Sequence, residues 1–136
     1  MKRKGFTLTE TLIIGALFGL FILAGTLLLS AERARTRDAK RIADMTRLAG
    51  AFALLYGQKA SYADAAAGCS AVGSNPDSCA LSDVLSGLDQ IHDPARFAYT
   101  ISRVPDQNDF GVAFHLERGY GTLAAGVHHL TKSGIR

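Results

Sequence analysis

The chain has 136 residues, 48% of them hydrophobic and 20% charged, with a formal net charge of +3 and two cysteines. That length holds one small domain and one further segment, not two independent cores. Two cysteines are too few for a structural zinc site without histidine help, and the excess charge resides wholly in Lys2, Arg3 and Lys4, so the composition of the remainder does not favour nucleic acid as a partner.

Lys2-Arg3-Lys4-Gly5-Phe6-Thr7-Leu8-Thr9-Glu10 opens the chain, and residues 11–31 carry no charge. At ~1.5 Å per residue such a run makes a helix of roughly 31 Å, which matches the hydrocarbon core of a bilayer. Glu10 is the only charge between Gly5 and Glu32. An acid in an apolar stretch costs about 2–3 kcal/mol in lipid and is a functional residue by default. A secretory signal does not fit, because its apolar core spans only ~7–15 residues and ends in small residues at the cleavage site. Ser30-Ala31-Glu32 is a poor version of that exit. A plain anchor accounts for the length but not for Glu10. Gly15 and Gly19 have the G-x-x-x-G spacing that lets helix backbones approach closely.

Lys4-Gly5-Phe6-Thr7-Leu8-Thr9-Glu10, running without a break into Leu12-Ile13-Ile14, resembles the N-terminal signal of type IV pilins and of the pseudopilins of type II secretion. Residues 1–60 carry the likeness; beyond them it is one of layout. The resemblance implies an inner-membrane prepilin whose leader, residues 1–5, is cut after Gly5 by a membrane-embedded prepilin peptidase. The same enzyme methylates the new amine of Phe6. Residues 6–31 then anchor the protein in the membrane lipid and later form the core of a helical filament of identical or related subunits, built by a pilus or secretion assembly platform. In that core Glu10 pairs with the Phe6 amine of the next subunit. A mis-staggered helix would leave both charges alone in an apolar setting, at ~3–5 kcal/mol, so the pair sets the axial register. The local alternative is that Glu10 serves its own helix start, where the macrodipole favours an acid. Unlike many members of that family, the chain has no proline before Pro76.

Arg33, Arg35, Arg37, Lys40 and Arg41 follow the apolar run and outnumber the basic residues of the leader, which by a bare count would place the C-terminal side in the cytoplasm. They are diluted by Glu32, Asp38 and Asp44, whereas the leader's charges sit tightly against the run, so the head is expected outside the cytoplasm. Residues 32–57 read as an amphipathic continuation of the helix. Ile42, Met45, Ala49, Phe52 and Tyr56 recur at steps of three and four, with Leu48 and Leu55 beside them, and Gly57 marks the end. The basic residues of this segment form a collar, either a solvated face or one that meets anionic lipid or acids of neighbouring subunits.

Residues 58–136 form the expected small head. Residues 60–80 are rich in Ala, Ser, Gly and Asn and contain Cys69 and Cys79, which on an extracytoplasmic head close a disulfide loop. Leu81, Val84, Leu85 and Leu88 suggest a short helix capped by Ser82 and broken by Asp93-Pro94. Residues 97–101 and 110–117 alternate as strands around a turn at residues 105–109, and residues 123–130 make a third strand after Gly119-Tyr120-Gly121. Three antiparallel strands would bury Phe97, Tyr99, Ile101, Phe110, Val112, Phe114 and Leu116 on the helix stripe.

No G-x-S-x-G, phosphate loop or H-E-x-x-H is present. His115 and one of His128 and His129 would share a sheet face, a metal pair at most. Arg96, Arg103 and Arg118 lie among more numerous acids, which disfavours nucleic acid as a partner. The expectation is therefore an α+β, pilin-like fold with a long N-terminal hydrophobic helix on a small antiparallel sheet, and no catalytic residue, metal or cofactor. Its function would be structural, as a subunit of a type IV pilus-like filament for attachment, motility or uptake, extracellular once assembled. The alternative is a pseudopilin of a type II secretion system, and the contrast is a membrane-anchored extracytoplasmic binding module that never polymerises.

Overall fold

A computed structural model of the chain describes residues 7–136. The fold is α+β: a long N-terminal helix, α1 (Leu8–Lys59), followed by a four-stranded antiparallel sheet. Two compact units divide the chain, Met1–Ala34 and Arg35–Arg136, so the second half of α1 belongs to the head. No proline interrupts its 52 residues. The helix stops at Ala60, which adopts the left-handed conformation (φ 52°) while its N–H donates to the Tyr56 carbonyl at 2.8 Å. That position usually takes glycine. The helix therefore runs just past Gly57.

Strands β1 (Thr100–Arg103), β2 (Gly111–Tyr120), β3 (Leu123–Thr131) and β4 (Gly134–Ile135) form a meander in sequence order. Register follows the apolar alternation: Ile101 faces Val112, and Val112 faces Leu130 on its other side. These residues, with Phe114 and Leu116, are buried against Met45, Leu48, Phe52 and Leu55 of α1. Each such side chain contributes about 1.5–3 kcal/mol by leaving water. Phe52 stacks on Phe110 at 3.8 Å between ring centroids, and Tyr62 closes the cluster edge-on to both. Tyr56 lies outside the core at 42% exposure, and Ala51 is buried instead. The buried stripe is thus rotated slightly from the expected one.

Three further expectations are corrected. Leu81 to Leu88 make no helix: one turn forms, with the Leu85 N–H donating to the Leu81 carbonyl. Gly87 then takes φ 72° and redirects the chain into a short 3-10 turn, Leu88–Gln90. Ser82 caps no helix. The first strand begins later, at Thr100, because Phe97 is drawn off to stack on His115 at 4.0 Å. A fourth strand of two residues, β4, pairs with the end of β3.

Cys69 and Cys79 are joined by a disulfide, and both are buried. The loop they close covers the free edge of β1: Gly73 donates its N–H to the Ile101 carbonyl, and Ile101 donates to the Ser74 carbonyl, each at 2.8 Å. Covering an edge strand this way removes a template for aggregation. Gly68, at φ 90°, cannot be replaced, since a Cβ there would lie 2.1 Å from the Ser78 carbonyl oxygen. Substituting both cysteines by alanine should cost the head about 2–3 kcal/mol, read as a lower urea midpoint of the full chain in detergent.

Candidate functional site

Two features of the chain are chemically distinctive, the start of α1 and a charged cluster within the head. At the helix start, Thr7 and Glu10 cap each other. The Thr7 N–H and hydroxyl donate to Glu10 Oε2 at 2.8 and 2.9 Å, while the Glu10 N–H donates to Thr7 Oγ1 at 3.3 Å. This is a capping box, which satisfies helix-start donors that otherwise have no partner. The sequence signal was the Thr-x-x-Glu spacing itself.

From Thr11 to Ala31 the helix carries no charge on any side. Over its best 18-residue window the mean hydropathy is 2.6 and none of the window is buried within the chain. Leu12, Phe18, Phe21 and Leu28 are each at least 66% exposed. A helix apolar all round belongs in lipid or in the core of a larger assembly, and this one is long and apolar enough to cross a membrane. Its few hydroxyls ask nothing of their surroundings: Thr26 donates to the Leu23 carbonyl and Ser30 to the Leu27 carbonyl. Nothing lies within 4 Å of the space a Cβ would take at Gly15 or Gly19, so the chain itself does not use their bareness. The expected cleavage junction Gly5–Phe6, the leader and the methylation at Phe6 lie outside the described residues.

The basic collar divides: Arg33 and Arg35 are exposed, whereas Arg37, Lys40 and Arg41 turn toward the head. Arg41 is wholly buried and serves as the hub of an ion cluster. Its Nη1 donates to Asp38 Oδ1 and to Glu117 Oε1, both at 2.8 Å, while Nε and Nη2 grip the two oxygens of Asp93. Arg37 forks onto the same Glu117. Asp38 is held from the sheet as well. A bulge in β2 between Leu116 and Gly119 turns successive N–H groups of Glu117, Arg118 and Gly119 toward its carboxylate, at 2.9, 2.8 and 3.1 Å. Gly119 permits the bulge through φ 97°, where a Cβ would lie 2.4 Å from the Leu123 carbonyl oxygen. One turn further along α1, Asp44 accepts from Lys40 and from the Tyr99 hydroxyl at 3.0 Å.

Burial alone would favour the neutral forms of these groups, and the hydrogen bonds overcome it. Burial works against the Arg41 charge, yet its bonds to Asp93, Glu117 and Asp38 leave it more firmly protonated than usual. Burial would raise Asp38, but the N–H groups of Arg118 and Glu117 and the Arg41 fork bring it below the usual range. The Arg37 fork lowers Glu117 from 4.5 to about 2, with Arg41 adding to it. A carboxylate depressed in the folded state stabilises above its unfolded pKa, and that contribution is lost as pH falls toward the folded value. The urea midpoint should hold at neutral pH and fall between about pH 4.5 and 2. Glu117→Gln should lower the neutral plateau and flatten that acid limb.

The other candidates do not converge. His115 and His129 share the outer sheet face and His128 points inward beside Phe114, but no three metal-ligating side chains gather among the described residues. His129 Nδ1 meets Ser102 Oγ at 3.2 Å and His128 Nε2 meets the Ala124 carbonyl. Arg103 is taken up by Asp106 and Asp109 within the turn. Compared with known proteins, the chain matches no family model, no curated protein and no solved structure.

Proposed function

We propose that the chain is a structural subunit of a type IV pilus-like filament. It enters the inner membrane as a prepilin, is cut after Gly5 and methylated at Phe6, and polymerises through the start of α1 with its head outside the cytoplasm. The reading is carried by one observation: an apolar helix start, unburied by its own chain, bearing Glu10 as its sole ionisable group and continuing into a helix that packs a small disulfide-closed sheet domain. A hydrophobic surface of that extent needs a solvent or a partner. Lipid supplies the first and identical helices the second. Gly15 and Gly19 then offer the close approach that dense packing in a filament core needs.

A pseudopilin of a type II secretion system shares every one of these features, and the same chemistry would build a shorter pseudopilus. The test is assembly. The chain expressed with a prepilin peptidase and an assembly platform should appear in a sheared, sedimentable surface fraction. Retention of all the protein in the detergent-soluble membrane fraction, with no sedimentable polymer, would instead mark a membrane-anchored module that acts alone.

A further inference from the structure

We propose that the outer edge of β3, from Leu123 to His128, is a docking site for an extended, acidic segment of a partner protein, which adds a strand to the sheet there. The two edges of the meander differ. The β1 edge is paired with the disulfide loop through Gly73 and Ser74. On the other side β4 pairs only with Leu130 and Thr131, and the Arg136 backbone exchanges bonds with His129 at 2.8 and 3.0 Å. From Leu123 to His128, no strand of the described residues other than β2 lies beside β3. At ~3.3 Å per residue that is a bare edge of about 20 Å. His129 turns its N–H and C=O toward Arg136, so Val127, two residues back, turns the same two groups past the end of β4. Such groups are a template for another chain. The usual defences are missing, since Leu123-Ala124-Ala125-Gly126-Val127-His128 contains no proline, lysine or acid. Ala124, Ala125 and Val127 are exposed, and a Cβ on Gly126 would meet nothing within 4 Å, so a second backbone has room to approach.

Charge selects the occupant. After Glu117 the chain carries Arg118, Lys132 and Arg136 and no acidic side chain. Arg136 and His129 are exposed and line, with Val127, Ser102 and Thr131, an open cleft of about 650 Å³ on the outer sheet face. Asp109 also lines it but is held by Arg103 at 2.9 Å. A strand laid along Val127 points alternate side chains to this face, where carboxylates meet Arg136. Main-chain bonds then supply affinity, and the alternate side chains supply specificity. A second copy of the chain brings the same cations and no acid to the edge, which leaves Arg136 without a counter-charge.

The probe is a fluorescein-labelled octapeptide of alternating valine and glutamate, titrated with the full chain in non-ionic detergent and followed by anisotropy. The expected result is saturable binding, weakened about tenfold or more by Arg136→Glu. Val127→Pro removes the outward N–H at an edge position and should abolish binding while the melting point stays that of wild type. The same peptide with lysine for glutamate should not bind, nor should the glutamate peptide N-methylated along its backbone. Should Val127→Pro fail to fold, the N-methylated peptide still tests the main-chain pairing on the wild-type chain. Absence of saturable binding by the glutamate peptide would overturn the proposal. Equal binding of the lysine peptide would remove the charge selection, and equal binding of the N-methylated peptide would remove the added strand; either result overturns it. A Val127 amide whose hydrogen exchange slows with rising chain concentration, without peptide, would give the edge to a second copy and overturn it as well.

Discussion

Replacing Arg41 by methionine should destabilise the head by about 3–5 kcal/mol, because it takes the guanidinium fork from the buried Asp93 carboxylate and one charged partner each from Asp38 and Glu117. Asp93 loses both of its bonds to the side chain, and Asp38 and Glu117 each lose one. For a unit of this size each kcal/mol corresponds to roughly 4–8 °C in Tm, so the melting point of the full chain in detergent should fall by well over 10 °C. Arg41→Lys would keep the charge but not the planar fork, and should recover only part of the loss. Arg41→Met in a chain that also carries Asp38→Asn and Asp93→Asn should do less damage than Arg41→Met alone, since fewer charges are then left unpaired. Equal melting points for wild type and Arg41→Met would show that the cluster contributes nothing.

Glu10→Gln should abolish or severely slow filament assembly while leaving the monomer folded and in the membrane. Glu10 has a local role and a proposed intersubunit one, and two substitutions separate them. Glutamine at that position still completes a capping box with Thr7, so Glu10→Gln removes the charge and keeps the cap. Thr7→Ala removes the cap and keeps the charge, at a cost of about 0.5–2 kcal/mol in helix stability. If pairing with the Phe6 amine of the next subunit sets register, sheared filaments disappear with Glu10→Gln and persist with Thr7→Ala. The reverse pattern would reduce Glu10 to a helix-start residue.

The parts of the chain governed by local rules were readable in advance. The charge-free run, the period-two alternation of β2 around Val112, Phe114 and Leu116, and the helical stripe through Met45, Leu48 and Phe52 all follow from neighbours within a few residues. The cysteine pair needed only a compartment. Arg41 was not readable: its partners Asp93 and Glu117 lie 52 and 76 residues away, and nothing in a run of basic residues marks the one that turns inward. The bulge at Gly119, whose N–H groups bind Asp38, is invisible for the same reason. Leu81, Val84, Leu85 and Leu88 had the spacing of a helix but too short a run to survive Gly87, which tertiary packing placed in the left-handed region. At the helix start the local role of Glu10 followed from its position in the first turn, and its partner Thr7 lies only three residues away in Thr7-Leu8-Thr9-Glu10.

The proposed identity turns on one covalent event. Intact mass and N-terminal sequencing of the protein recovered from membranes and from sheared surface material would read it. The predicted result is a chain beginning with N-methyl-Phe6, its mass lower than that of the reduced form by the two hydrogens that Cys69 and Cys79 lose on pairing. An intact Met1 with free thiols in both fractions would contradict processing, the extracytoplasmic head and the filament together.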